Sequence, residues 1–380
     1  HQRDVTGRNY DTGCEIRVRR EERVAENKFK AKEQAFKELS SKDKTKKIID
    51  LLLNNAMYII IVLAVIYISI KVPAFIKLPS IVNVISLTAA KLPIALGIGG
   101  CIVLTGTDIS AGRVVGLTAC ISASLLTTTF KVFPSMTSAP PIIVVLLLVV
   151  VVGGLVGLVN GFSVAKFKLH PFIVTLSTQL IVYGIILMYL MNGTNNGQTL
   201  SGLTEGYRSL ITGTLFSIPT ATGSVAVPKY VLYSIILVIL MWVIWNKTTF
   251  GKNMFAVGSN EEAANVSGVN VSKTIMMVFV LAGMMYAITG FLDGARIASA
   301  NANTGLNYEC DAIAACVIGG VSFVGGIGRI SGIVVGVLLL QIIFAGLNFL
   351  AVDANMLYII KGLIILIACA IDMRKYLVKK

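Results

Sequence analysis

The run PIIVVLLLVVVVGGLVGLVNGFSVA, residues 141–165, contains no charged side chain. An α-helix of this length, at about 1.5 Å per residue, spans the ~30 Å hydrocarbon layer of a bilayer. Hydrophobic residues make up 55% of the 380-residue chain and charged residues only 14%, whereas soluble domains average about 45–50% and about 25%. The mean hydropathy of +0.81 points the same way. The composition excludes a soluble protein and predicts an integral membrane protein.

The hydropathy pattern predicts an all-α membrane protein with about ten transmembrane helices. The first span runs from Ile48 to Ile70, and the others lie near residues 81–105, 111–130, 141–165, 171–191, 229–245, 274–292, 311–327, 330–350 and 356–371. Lys91-Leu92-Pro93 interrupts the second span, and the eighth is short and rich in glycine. For these two spans a broken or re-entrant segment is the alternative to a simple crossing.

Charge divides the chain into a tail, a membrane domain and a short terminus. Residues 1–47 alternate charges of both signs, and we expect a disordered or peripheral arm there. The transmembrane domain covers 48–373, and residues 374–380 form a basic end. The chain has 33 basic and 19 acidic residues, and basic loops mark the cytoplasmic side. Their distribution predicts that both termini are cytoplasmic.

Two segments of the sequence align when the chain is shifted by 220 residues. IGGCIVLTGTDISAGRVVG (98–116) lies over IGGVSFVGGIGRISGIVVG (318–336), with five glycines in register. We predict an internal duplication whose copies run in the same direction through the membrane, as occurs in transporters. Chance similarity between glycine-rich helices is the alternative. Gly153, Gly157 and Gly161, spaced by four, predict close helix packing.

Motifs for covalent chemistry and nucleotide binding are absent from the sequence. It contains no G-x-x-x-x-G-K-[ST], no G-x-S-x-G and no H-E-x-x-H. The six cysteines are scattered, and His1 and His170 are the only histidines. We therefore expect no enzymatic activity, no metal site and no cofactor bound by this chain.

The loop NKTTFGKNMFAVGSNEEAANVSGVNVSK, residues 246–273, predicts a short helix on the cytoplasmic side. Ser259 or Asn260 serves as N-cap, and Glu261 and Glu262 favour the first turn. Ala263 and Ala264 continue the helix, and Gly268 ends it. A rigid knob of this kind suits a partner protein, and an ordinary solvated loop is the alternative.

Three stretches carry a resemblance to a known family. Glu262-Ala263-Ala264 followed by Ser267-Gly268-Val269 resembles the coupling loop of ABC-importer permeases. GTDISAGRVVGLTA (106–119) and DAIAACVIGGVSFVGGIG (311–328) resemble the sugar-permease branch that serves ribose, xylose and galactose. The resemblance covers about residues 50–375, and the tail is longer and more charged than is usual for the family.

This resemblance implies a homodimeric sugar permease in the bacterial cytoplasmic (inner) membrane. It implies a separate cytoplasmic ATPase that carries ATP and Mg²⁺, and an extracytoplasmic sugar-binding protein. Galactose or methyl-galactosides are the expected cargo, with ribose or xylose as alternatives. An ion-coupled secondary transporter and a non-transporting scaffold or receptor also remain open. The resemblance implies that the residues contacting the ATPase are Glu261, Glu262, Ala263, Ala264 and Gly268.

Polar residues inside the spans are candidates for a gate and a sugar path, because charges there are costly. We predict an ion pair between Asp108 and Arg113 at an inner gate, with a helix-capping role for Asp108 as the alternative. The repeat also assigns Gly106, Gly326 and Gly328 to the gate. Sugars need donors and acceptors, and the candidates for the path are Asn83, Ser86, Gln179, Tyr183, Asn301 and Asn303. Four charged residues bracket the outer loop of the second half, and we expect them to contact an extracellular sugar-binding protein or line the entrance, with a solvated loop as the alternative: Asp293, Arg296, Glu309 and Asp311.

Overall fold

The computed structural model describes residues 56–220 and 223–377. In these ranges the chain forms thirteen α-helices and a two-stranded sheet, with a 3₁₀ turn at Pro73–Ile76. The elements are α1 Ala56–Lys71, α2 Leu78–Val103, α3 Ala111–Leu125, α4 Ile142–Phe167, α5 Pro171–Leu190, α6 Glu205–Thr212, β1 Thr214–Thr220, β2 Gly223–Pro228, α7 Tyr230–Lys247, α8 Thr249–Ser259, α9 Glu261–Val266, α10 Val271–Ile297, α11 Tyr308–Ile318, α12 Ile330–Phe349 and α13 Ala354–Leu377. The predicted tail, residues 1–47, lies outside the described residues.

Ten of these helices overlap the ten predicted spans. Six of them, α2, α4, α5, α7, α10 and α12, are long and apolar enough to cross a membrane. The helices α3 and α11 have 15 and 11 residues, fewer than the ~20 that a full crossing needs. The prediction of a mostly helical protein with several membrane-spanning helices is confirmed. The number ten and the internal repeat stay predictions.

The two spans that were predicted as possible breaks behave differently. Helix α2 is continuous through Pro93, which favours the simple crossing over the broken segment for the second span. The helix α11 is short, and a non-helical segment, residues 298–307, precedes it. This segment runs along α3, where the Cys120 thiol donates to the Asn301 carbonyl at 3.6 Å. Irregular backbone at membrane depth is tolerated where protein covers it, and α3 provides that cover.

Helices α4 and α10 pack with their backbones in direct contact. A Cβ atom at Gly153 would collide with the Gly283 carbonyl, and one at Gly157 would collide with the Phe279 carbonyl. At Gly161 it would lie 2.8 Å from the Cα atom of Met276. The predicted small-residue packing face is therefore present, and its partner is α10.

The loops fall into two groups at opposite ends of the helices. At one end Thr127 bridges to Leu203, and Leu200 bridges to Ala300. At the other end the Gly326 amide donates to the Val103 carbonyl at 2.8 Å, and Gly106 lies against Pro171. This grouping agrees with the alternating topology that the spans imply.

The loop between α5 and α7 departs from the all-α prediction. It contains the amphipathic helix α6 and the antiparallel hairpin β1–β2. The hairpin includes the β-branched residues Ile218, Val225 and Val227, which favour strands. Tyr207 anchors α6, because its ring is fully buried beside Phe291. The hydropathy pattern missed the hairpin because its strands are short.

The α4–α10 contact predicts the effect of filling one of its glycines. Gly157→Val forces two backbones apart and should lower the free energy of unfolding by about 1–3 kcal/mol, the usual cost of overpacking. Gly184→Val is the matched control, because a Cβ atom at Gly184 in α5 meets nothing within 4 Å. Thermal unfolding of the purified protein in detergent measures both. Equal losses for the two variants would contradict the packing assignment.

Candidate functional site

Three segments meet backbone to backbone at the end of the bundle where α8 and α9 lie. We call this contact the glycine junction, and define it as Val103, Gly258, Gly325 and Gly326. The Gly326 amide donates to the Val103 carbonyl at 2.8 Å. A Cβ atom at Gly258 would collide with the same carbonyl, and one at Gly325 would collide with the Gly258 carbonyl. The junction thus joins the end of α2, the loop before α12 and the end of α8.

The gate glycines that sequence suggested are not equivalent in the structure. Gly326 has φ +66°, a left-handed conformation that favours glycine, and a Cβ atom there would collide with Ser259. A Cβ atom at Gly328 would lie 3.0 Å from the Val103 side chain, whereas one at Gly106 would keep 3.3 Å from Pro171. The strictest constraint therefore falls on Gly326, whereas a Cβ atom at Gly106 would be accommodated if Pro171 moved by a few tenths of an ångström.

The predicted short helix of the 246–273 loop is present as α9. The Asn260 side chain caps it by accepting from the Ala263 amide at 2.9 Å. Gly268 follows the helix with φ +84°, as expected for a glycine that ends a helix. Two residues earlier, Val266 is 89% exposed. Asn260 and Gly268 thus bound α9, and its last residue leaves an apolar side chain exposed.

The orientation of α9 corrects one prediction about its residues. Glu261, Glu262, Ala263 and Gly268 are exposed, as a partner contact requires, but Ala264 is 4% exposed and faces the rest of the chain. The other five residues of α9 are exposed, and Ala264 alone is buried. The Ala264 side chain therefore packs against the rest of the chain. Val266 is exposed instead, in the way that was predicted for Ala264.

An ion pair ties α9 to the loop that follows α4. Lys168 adopts a left-handed conformation at the end of α4, and its Nζ lies 2.7 Å from the Glu261 Oε1. A cleft of about 900 Å³ opens beside this pair, between α9 and the start of α10. Both side chains are more than half exposed, so the pair orients α9 and adds little stability.

Asp108 lies in a buried polar cluster between α2 and α3. Its Oδ1 accepts from the Ser110 amide at 3.0 Å and from the Ser110 hydroxyl at 2.6 Å. Asn160 donates to the same hydroxyl, and Thr178 donates to Asn160 at 2.6 Å. The cluster joins α3, α4 and α5 just below α3. The Asp108 carboxylate thus stabilises the turn before α3 through Ser110, which is itself the N-cap residue of α3, so Asp108 does not cap the helix directly.

The predicted ion pair between Asp108 and Arg113 does not form within the chain. The Arg113 guanidinium donates to the Ala302 carbonyl at 3.0 Å and stacks 4.2 Å above the Tyr183 ring. The Asp108 Oδ1 atom accepts hydrogen bonds from Ser110. The turn into α3 directs the Arg113 side chain to other neighbours, the Ala302 carbonyl and the Tyr183 ring. The sequence spacing of five residues was therefore misleading.

The proposed sugar-path residues separate into two places. Tyr183 and Gln179 share one face of α5, since they are four residues apart, and Arg113 contacts that face at Tyr183. Asn301 and Asn303 flank the Ala302 carbonyl that Arg113 binds. Asn83 is exposed on α2, and Ser86 is buried there against the Tyr230 phenol.

Charges within the bundle form contacts that sequence reasoning did not find. Lys361 of α13 pairs with Asp311 of α11 at 3.0 Å, and Arg296 pairs with Asp293 at 2.7 Å within α10. Lys91 of α2 lies over the Tyr308 ring. The contacts of Lys361 and Lys91 hold α11 against α13 and α2, whereas the Asp293–Arg296 pair lies within α10. Lys361 and Asp311 are 50 residues apart, so only their isolation within apolar runs could have drawn attention to them.

No group of three or more histidine, cysteine or acidic side chains suited to a metal ion occurs in ranges 56–220 and 223–377. What the described residues offer instead is an exposed helix at one end, a backbone junction behind it, and polar side chains between α3 and α5. This arrangement fits movement of a solute and coupling to a partner.

Comparison with known proteins identifies the family. The model of a family described as branched-chain amino acid transport system, permease component, matches residues 80–369. The galactose/methyl galactoside import permease protein of Haemophilus influenzae is 42% identical over 334 residues, 87% of this chain and 97% of the relative. That of Escherichia coli is 42% identical over 329 residues, 86% and 96% of the two chains.

More distant relatives and solved structures complete the comparison. The ribose import permease protein of Bacillus subtilis is 32% identical over 311 residues, which cover 82% of this chain and 90% of that protein. No solved structure matches the chain. The relatives are permease proteins and not enzymes. With a match across most of its length, the chain belongs to the family of permease components of branched-chain amino acid transport systems.

Proposed function

We propose that the chain is the membrane-spanning subunit of an ATP-driven importer of galactose or methyl-galactosides. The observation that carries the proposal is the 42% identity to permeases named for these sugars, over 96–97% of their length. The ribose permease relative is 32% identical, which makes ribose the second candidate. The chain would work as a homodimer in a bacterial inner membrane, with ten crossings and both termini in the cytoplasm.

The partner for α9 in this proposal is a cytoplasmic ATPase that binds ATP and Mg²⁺. Glu261, Glu262, Ala263, Val266 and Gly268 are exposed and would enter a cleft on that subunit. Closure of the ATPase would move α8 and α9 together. Through the glycine junction this motion would reach the end of α2 and the loop before α12.

Reconstitution tests the function directly. The purified chain, its ATPase and a galactose-binding protein are placed in liposomes, and uptake of labelled galactose and ribose is measured with ATP. We expect ATP-dependent galactose uptake that exceeds ribose uptake with a ribose-binding protein. Uptake by the chain alone under an imposed proton or sodium gradient would contradict the proposal and favour an ion-coupled transporter. No flux with all components present would favour a scaffold.

The exposed tip of α9 predicts a substitution that separates the subunits. Val266→Asp places a carboxylate at a site that the ATPase would bury, and burial would strip the charge of its hydration without supplying a partner. We therefore expect the amount of ATPase retained on the purified permease to fall by about tenfold or more. The control is Asn246→Asp, which adds the same charge at an exposed site at the end of α7. If the Val266 variant retains its ATPase as well as the control does, α9 is not the docking element.

The glycine junction predicts a contrast between two left-handed glycines. Gly326→Ala and Gly320→Ala should each lower the free energy of unfolding by about 1–2 kcal/mol, because both place a side chain at positive φ. Only the Gly326 variant meets Ser259, since a Cβ atom at Gly320 meets nothing within 4 Å. We expect galactose uptake to fall by about tenfold in Gly326→Ala, with the Gly320 variant much less affected. Equal uptake by both variants, at equal amounts of inserted protein, would remove the junction from the mechanism.

A further inference from the structure

A small cavity lies between α2, α11 and α12, and polar side chains of all three helices line it. About 10 Å³ of the cavity is open to the centre of a water molecule. Four of the lining residues are polar, namely Lys91 of α2, Tyr308 and Asp311 of α11, and Gln341 of α12. The other lining residues are aliphatic. Charged and amide groups from different helices therefore converge on one enclosed space.

The two oxygens of the Asp311 carboxylate differ in their surroundings. Oδ2 lies 3.0 Å from the Lys361 Nζ of α13. Oδ1 is buried and has no hydrogen-bond partner within residues 56–220 and 223–377. A buried carboxylate oxygen without a donor destabilises the folded state, because it has lost its hydration and gained nothing in return. Oδ1 therefore requires a donor that the described residues do not supply.

Two other residues of the cavity wall have unused hydrogen-bonding groups. Gln341 is 6% exposed, and its amide forms no hydrogen bond with the described part of the chain. The Lys91 ammonium lies 2.7 Å from the centroid of the Tyr308 ring and makes no ion pair with any described residue. An amide has two donors and an acceptor oxygen, and an ammonium has three donors. A small ligand in the cavity could bond to both groups and to Oδ1.

We propose that the cavity binds one water molecule, which bridges the Asp311 Oδ1 atom to Gln341 and Lys91. The water donates to Oδ1 and to the Gln341 side-chain oxygen, and it accepts from the Lys91 ammonium. Asp311 is then the counter-ion of Lys361 directly and of Lys91 through the water. The bridge joins α11 to α2 and α12. This site is independent of the solute that the permease carries.

The charges beside the cavity favour water over an ion. A cation would be repelled by the ammonium groups of Lys91 and Lys361, and an anion would be repelled by the Asp311 carboxylate. A neutral molecule that both donates and accepts avoids both repulsions. The volume agrees, since about 10–15 Å³ is enough for one water. A buried water makes about three hydrogen bonds to polar groups that otherwise lack partners, which is the number proposed here.

The first test is a density map of the unsubstituted permease, at a resolution that shows ordered waters elsewhere in the chain. We expect an isolated peak at about 2.5–3.0 Å from the Asp311 Oδ1 atom, within hydrogen-bond distance of the Gln341 amide. A cavity without density would overturn the proposal. So would a direct contact between the Lys91 ammonium and Oδ1 that closes the cavity.

The second test measures thermal unfolding of the purified permease in detergent. Gln341→Met keeps the length of the side chain but removes its donors and its acceptor. We expect the midpoint to fall by about 2–4 °C, because the water loses a partner. Gln179→Met is the matched control, since it makes the same change on α5, which does not line the cavity. Equal shifts for the two variants would contradict the bridge.

A double substitution separates the water bridge from simple packing of Gln341. In Asp311→Ala the water has lost its charged acceptor, so adding Gln341→Met should lower the midpoint by much less than Gln341→Met does alone. Additive shifts would show that Gln341 acts through packing and would overturn the proposal. The density map uses the unsubstituted chain, so it decides the question if Asp311→Ala does not fold.

Discussion

One backbone contact connects the exposed end of this permease, where α8 and α9 lie, with the end of α2 and the loop before α12. The Gly326 amide donates to the Val103 carbonyl, and Gly258 lies so close to that carbonyl that no side chain fits. Backbones approach this closely only where glycine is present. Because α8 ends at Ser259 and α9 begins two residues later, we propose that a movement of α9 reaches both the end of α2 and the loop before α12. In our proposal, this rigidity is how ATP hydrolysis acts on the pathway.

The bundle around the junction gains its order from small residues and from paired charges. Glycines of α4 pack on the α10 backbone, which gives dispersion contacts where the bilayer offers no hydrophobic driving force. The charged residues of α10, α11 and α13 pair with each other, which reduces the cost of burying them. Arg113 differs, because the described residues leave most of its donors unused.

Sequence predicted much of this fold and some of the site. Hydropathy located the long helices because each is encoded by one continuous apolar run of the sequence. The sequence also identified Asn260 and Gly268 as the ends of α9, because helix capping depends on a few adjacent residues. The inward direction of Ala264 was missed, since a helix of six residues is too short to have a readable periodicity. The Asp108–Arg113 pair does not form within the chain, because Asp108 accepts from the neighbouring Ser110 while Arg113 donates across the bundle to the Ala302 carbonyl. The Lys361–Asp311 pair depends on tertiary packing, which spacing does not reveal.

The coupling claim is tested most directly by hydrogen exchange at the Gly326 amide. The exchange is followed at single-residue resolution in the assembled importer, without nucleotide and with ATP trapped on the ATPase. The Gly326 amide is hydrogen-bonded to the Val103 carbonyl at 2.8 Å, so we predict that its exchange is slow in one of the two states. In the other state we predict that its exchange rate changes by about tenfold or more, and that the exchange rates of the α9 amides change with it. Identical protection of Gly326 in both states, in a complex that transports galactose, would contradict the account.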